Sequence, residues 1–154
     1  MNTMKEDFEH IQKMCRLLDE DRKSSFEPPA TEKEISDWEK KNEIIIPELY
    51  REWLLLTKHA YIYGGYFELY FPEVYNNCDY VFIGDIIGDG ECLYFTRNDT
   101  TIYRDFEGEI TKYKDFDDFL AYLEIMLEDF AEDIHGENWT ELYDNMNDNP
   151  NIME

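Results

Sequence analysis

Asp85, Asp89 and Glu91 lie close together in the sequence, and three carboxylates at such spacing could converge on Ca²⁺ or Mg²⁺. The spacing does not follow the Asp-x-Asp-x-Asp-Gly run of a calcium loop, so no metal is expected there. The glycines around them, in Gly84-Asp85-Ile86-Ile87-Gly88-Asp89-Gly90, lack the GxGxxG register of a dinucleotide turn and suit tight turns instead. Adjacent carboxylates at Asp117-Asp118 and Glu132-Asp133 have the residue types of a glycosidase acid and base, a chemistry that needs one raised pKa and a sugar cleft. On a helix face such pairs are more simply a solvated surface. His10, His59 and His135 are scattered, with no second His at i+4 and no Cys at metal-ligand spacing. Cys15, Cys78 and Cys92 are odd in number and widely spaced, which fits small buried hydrophobes rather than a disulfide framework. The expectation is a protein with no catalytic residues, no metal and no cofactor.

Negative charge is what the chain holds in abundance: 37 Asp and Glu stand against 14 Lys and Arg, for a net charge of -23. The segment from Asp115 to Glu154 has thirteen acids and no Lys or Arg, whereas the first sixty residues have fourteen acids against ten bases. A field of one sign speeds encounter with oppositely charged partners and repels nucleic acid and anionic membranes. Phosphate contact would need clustered Lys and Arg, which are absent. The expected partner is therefore a basic protein, with no nucleic acid and no membrane. No apolar run approaches the roughly 18 residues of a membrane span. The stretch MNTMKEDFEHIQKM lacks the apolar core of a secretory signal, so a cytoplasmic location is expected.

The elements that would carry these residues are readable from periodicity. Phe8, Ile11, Cys15 and Leu18 form a helical stripe within residues 5–20, followed by a polar break and Pro28-Pro29. Thr31 and Glu34 have the form of a capping box for a second helix with Ile35 and Trp38 inward. Pro47 opens a third, whose inward set is Tyr50, Trp53 and Leu54. After Gly64-Gly65 the period changes, and about five strands follow: Tyr66 to Phe71, Tyr80 to Ile83, Cys92 to Phe95, Thr101 to Arg104 and Glu109 to Tyr113. Their short separators make at least the last three an antiparallel meander. Asp115 caps the longest helix, which has Phe116, Phe119, Leu120, Leu123, Met126, Leu127 and Phe130 on one arc. Asp117, Asp118, Glu124, Glu128, Asp129, Glu132 and Asp133 occupy the opposite arc, with Tyr122 and Ile125 among them. Asn138 and Glu141 resemble the cap of a short last helix bearing Trp139, Leu142, Tyr143 and Met146, and the tail NDNPNIME reads as frayed. The predicted fold is a single α+β domain: N-terminal helices, a mainly antiparallel sheet of about five strands and a long C-terminal helix. Its divisions are residues 1–27 (helix and linker), 28–134 (core) and 135–154 (acidic segment).

The run Ile46-Pro47-Glu48-Leu49-Tyr50-Arg51-Glu52-Trp53-Leu54 resembles the motif helix of the SUKH superfamily, named after yeast Smi/Knr cell-wall assembly regulators. The order of the surrounding residues supports the resemblance over about residues 28–130: Glu34, Ile35 and Glu39 ahead of the motif, Gly64-Gly65 after it, Ile83-Gly84 ending a strand, Gly88-Asp89-Gly90 before Cys92, and Phe116-x-x-Phe119-Leu120 opening the last helix. Two departures are Thr57-Lys58-His59-Ala60, where the family often has Asn-Gly-Gly, and Glu91, where an Asp commonly follows the glycine turn. The resemblance implies an α+β domain that is usually not an enzyme. Many bacterial members resemble immunity proteins that neutralise a cognate polymorphic toxin, commonly a nuclease.

Charge and resemblance together predict a toxin-neutralising protein that engages a basic toxin domain through an acidic surface with aromatic anchors. The expected partner-binding residues are Asp117, Asp118, Tyr122, Glu124, Ile125, Glu128, Asp129, Glu132 and Asp133. Tyr122 and Ile125 are either covered by the segment bearing Trp139, Leu142 and Tyr143 or stand as the anchors of that surface. The alternatives are a regulatory or scaffolding domain with a non-toxin partner, and a carbohydrate-processing enzyme.

Overall fold

The computed structural model describes residues 2–75, 79–87 and 90–146. Cys78, the Gly88-Asp89 pair and the tail from 147 onward, with the readings made of them above, lie outside the described residues. Thr3 opens the first helix, α1 (Met4–Leu17), with a capping box in which its hydroxyl accepts from the Glu6 amide and the Glu6 carboxylate accepts from its own. Thr31 and Glu34 form the same device at α2 (Glu32–Asn42). Pro47 fixes the entry to α3 (Glu48–Leu54), whose Tyr50, Trp53 and Leu54 are fully buried. The last two helices are α4 (Phe116–His135) and α5 (Trp139–Asp144). Asn138 stands at the start of α5, but its side chain makes no capping bond there.

The α+β class holds, with seven strands rather than about five. They are β1 (Ser25–Phe26), β2 (Ala60–Ile62), β3 (Phe67–Val74), β4 (Tyr80–Ile86), β5 (Glu91–Thr96), β6 (Ile102–Phe106) and β7 (Glu109–Tyr113). All pair antiparallel in sequence order, so the whole sheet is a meander. The two additional strands are two and three residues long, too short for period-two alternation to register. The change to extended chain therefore comes at Ala60. Gly64 and Gly65 instead make the β2–β3 turn, where Tyr63, Gly64 and Gly65 all have positive φ (52°, 64° and 90°).

Inward residues of the strands, including Ile62, Phe67, Leu69, Val81, Ile83, Ile86, Leu93 and Phe95, join the inward faces of α1, α3 and α4 in one core. Aromatic edges lock it: Phe116 packs on Tyr50 at 4.8 Å and on Trp53 at 5.7 Å. The ladder is interrupted in the middle of the sheet. Leu69 pairs with Gly84, yet the next pair is Glu73 with Phe82, so β3 spends extra residues around Pro72, which has no amide to donate. Between β4 and β5 the register also slips, at Phe82 to Gly84. Gly84 is obligatory at this crossing, since a Cβ would stand 2.5 Å from the Glu68 carbonyl oxygen. Carbonyls released from the ladder find one donor in the core: the Tyr50 hydroxyl lies 2.5 Å from the Tyr70 oxygen and 3.3 Å from that of Ile83.

Tyr50→Phe keeps the ring packing but removes that donor. We expect the variant to fold and to lose about 1–3 kcal/mol, the cost of buried polar groups left unpaired. Equilibrium urea unfolding checks this, and an unchanged midpoint would show that the bulge does not need the hydroxyl.

Candidate partner-binding surfaces

The acidic arc of α4 divides into four. Asp118 serves the helix itself, taking the Lys114 amide at 3.0 Å while the Asp115 carboxylate accepts the Asp118 amide. Tyr122 turns toward the sheet, packing near Phe67, Tyr113 and Phe119 with the Arg104 guanidinium 5.0 Å over its ring. Glu124 and Glu128 are half-buried on the flank facing α1, where the Glu128 carboxylate lies 3.6 Å from His10. Asp117 is exposed on the same helix and feels Asp7 of α1. What remains on the solvent side is Ile125, Asp129, Glu132 and Asp133, with Ile125 57% exposed.

The terminal segment does fold back, but onto α1. Tyr143 accepts or donates a 2.6 Å hydrogen bond with His10 Nδ1, and Lys13 sits 4.2 Å over its ring. Tyr122 and Ile125 thus part company: the first is covered by the sheet, the second by nothing among the described residues.

A second surface emerges on the side of the sheet opposite the core. Strand alternation sends Glu68, Tyr70, Phe82, Asp85, Cys92, Tyr94, Tyr103 and Asp105 outward, and register lines Glu68, Asp85, Cys92 and Asp105 across four strands. Beside this row runs a chain of rings. Tyr75 meets Phe82 at 5.4 Å, Phe82 meets Tyr94 at 6.0 Å, and Tyr94 stacks on Tyr103 at 5.2 Å with planes 14° apart. Tyr94 is only 4% exposed, yet it does not belong to the core. Its neighbours on the strands bury it sideways, which fixes the ring as part of a rigid plate.

Next to the plate, where β3 bulges, a cleft of about 540 Å³ opens. Its floor is Tyr70, Phe71 and Pro72, and its walls include Glu27, His59, Glu68, Glu73, Tyr75 and Asp85. His59 is held by Glu68 at 2.7 Å, and Lys58 is drawn off by Glu34 at 2.5 Å. Tyr75 donates to Glu73 at 2.7 Å, and the Tyr70 hydroxyl lies near Asp85. Burial, and then the charges of Glu68 and Glu73, push the Asp85 carboxyl above the ordinary aspartate range.

Of these cleft residues only Asp85 was weighed from the sequence, as a metal ligand, and none was expected to bind a partner. The available signal was the period-two placement of rings and acids along β3 to β6, which strand length alone does not reveal. Glu91, weighed above as a metal ligand, faces inward and pairs with Arg104, and no group of described residues could hold a metal ion. Among the described residues no helix is long and apolar enough to cross a membrane. No family model matches the chain, and no curated protein does either.

Glu124 gives the acidic helix a measurable signature. Its Oε1 is buried without a hydrogen-bond partner, and burial, together with Asp7 and Glu128, raises its carboxyl from about 4.5 to about 8. Between those values the folded state holds a proton that the unfolded chain has released, so stability falls as pH rises through this window. We expect Glu124→Gln to flatten that part of the profile relative to the parent. Denaturant midpoints measured from pH 4.5 to 8 test it, and parallel curves for the two proteins would rule it out.

Proposed function

We propose that this chain is an immunity-type protein that binds and neutralises a basic toxin domain, with a nuclease as the expected class. The reading is supported by the resemblance to SUKH domains and by the charge balance. It is carried by one observation: an outer sheet face where a plate of tyrosine and phenylalanine rings borders a row of carboxylates. Buried aromatic anchors supply most binding energy at protein interfaces, while surrounding charges set orientation and encounter rate. A nuclease must present a basic groove to its substrate's phosphates, and an acidic face with rigid rings complements such a groove. The solvent side of α4, with Asp129, Glu132 and Asp133 around Ile125, extends the same field and adds Ile125 and Ile134 as exposed apolar side chains.

The deciding experiment pairs this chain with the product of the gene next to its own, expected to be a toxin. Coexpression is expected to restore growth, and stopped-flow association is expected to slow steeply from 0.1 to 1 M salt as the Debye length shrinks from roughly 10 to roughly 3 Å. Absence of growth protection, with a non-toxin protein binding instead, would turn the assignment to a regulatory or scaffolding domain. Association rates indifferent to salt would remove the role given to the acidic field.

A further inference from the structure

The cleft beside the aromatic plate holds more negative charge than its own bases answer. Lys58 and His59 are the basic residues on its wall, and each is already committed, Lys58 to Glu34 and His59 to Glu68. Among the described residues no ion pair involves Glu73 or Asp85. Glu73 accepts a hydrogen bond from Tyr75, and the Tyr70 hydroxyl lies near enough to Asp85 to favour its charged form, so the two carboxylates stand against rings rather than cations. The raised Asp85 carboxyl is the electrostatic expression of this crowding, and a cation entering the cleft would relieve it.

We infer that this cleft receives an arginine side chain of a basic protein partner, with the outer sheet face as the docking surface around it. Arginine fits better than lysine on two counts. A planar guanidinium can lie against the Tyr75 and Tyr70 rings, and its fork of N–H donors can serve Glu73 and Asp85, on adjacent strands, at once. A compact ammonium ion would satisfy either the rings or the carboxylates in a space of about 540 Å³. From the cleft the ring plate continues through Phe82 and Tyr94 to Tyr103, so a partner anchored by one arginine meets an apolar shelf of fixed geometry. The α4 face contributes long-range attraction and not the anchor. This inference deepens the basic-partner reading and rests on it, but its test stands apart.

The probe is the short peptide acetyl-Gly-Arg-Gly-amide, titrated into the isotope-labelled full chain and followed by NMR, with the citrulline peptide as its uncharged counterpart. Saturable shifts at residues 68–75 and 85 are expected with arginine and not with citrulline. The double variant Glu73→Gln and Asp85→Asn should weaken binding at least about tenfold, while Asp129→Asn with Asp133→Asn should change it by less than about twofold. An unchanged melting temperature and unchanged shifts outside the cleft confirm that the double variant is folded. The inference is overturned if the arginine peptide gives no saturable shifts, if citrulline binds equally well, or if the shifts map to α4. Peptide binding in the cleft without protection against the neighbouring toxin would refute the toxin reading and leave the arginine site standing. Toxin binding without peptide binding would do the reverse.

Discussion

One buried hydroxyl links the helices to the shape of the sheet. Tyr50 leaves α3, passes beneath Phe116 of α4 and gives its proton to carbonyls that the β3–β4 ladder has released. Without an internal donor a bulge in the middle of a seven-stranded sheet would strand polar backbone in a dry interior, at a cost comparable to a substantial share of a domain's stability. With it, β3 can carry Pro72 in mid-strand, turn Tyr70 and Glu73 outward, and open the cleft on the far face. The residue that completes the core on one side thereby shapes the candidate site on the other.

How a chain with a net charge of -23 remains folded follows from where its few bases lie. Arg51 joins Glu32 and Glu39 at 2.9 and 3.0 Å and so fastens α3 to α2. Arg97 points at the carbonyls of Asn42 and Glu43, where α2 ends and its dipole is negative. Arg104 reaches the largely buried Glu91, the Tyr113 hydroxyl and the face of Tyr122, stabilising the β6–β7 edge from within. These bases tie element to element. Little positive charge is left for the outer sheet face or the solvent side of α4, so the surplus of acid emerges on those two surfaces.

The helices were legible because their signals are local: Thr31 and Glu34 cap, Pro47 starts, and the apolar arc of α4 repeats over several turns. The α4 arc was read correctly as core, and Ala131 extends it by a further buried position. The strands from β3 onward were legible as elements but not as surfaces. Which side of β4 faces out depends on the slip at Ile83 and Gly84, a consequence of pairing with β5 that no single strand encodes. Tyr122 is the instructive case on the helix. A wheel places it among carboxylates, and only the approach of Arg104 and Tyr113 from the sheet edge explains why a ring belongs there. Glu124 and Glu128 were likewise assigned to solvent, while the packing of α1 draws them half inside.

The two acidic surfaces differ in what binding would cost them. On α4, carboxylates at Asp129, Glu132 and Asp133 are exposed, and fixing them against a partner spends rotamer entropy for contacts that salt and water weaken. On the sheet, Tyr94 is held between ring neighbours, and Glu73 is tethered by the Tyr75 hydroxyl before any partner arrives. The ordering entropy there is charged to folding rather than to binding. A rigid, partly apolar surface of this kind can contribute affinity, whereas a flexible charged one contributes chiefly the rate of encounter. The division follows from secondary structure: strands joined in a ladder fix neighbouring side chains across several elements at once, and the solvent face of a lone helix fixes them only along one.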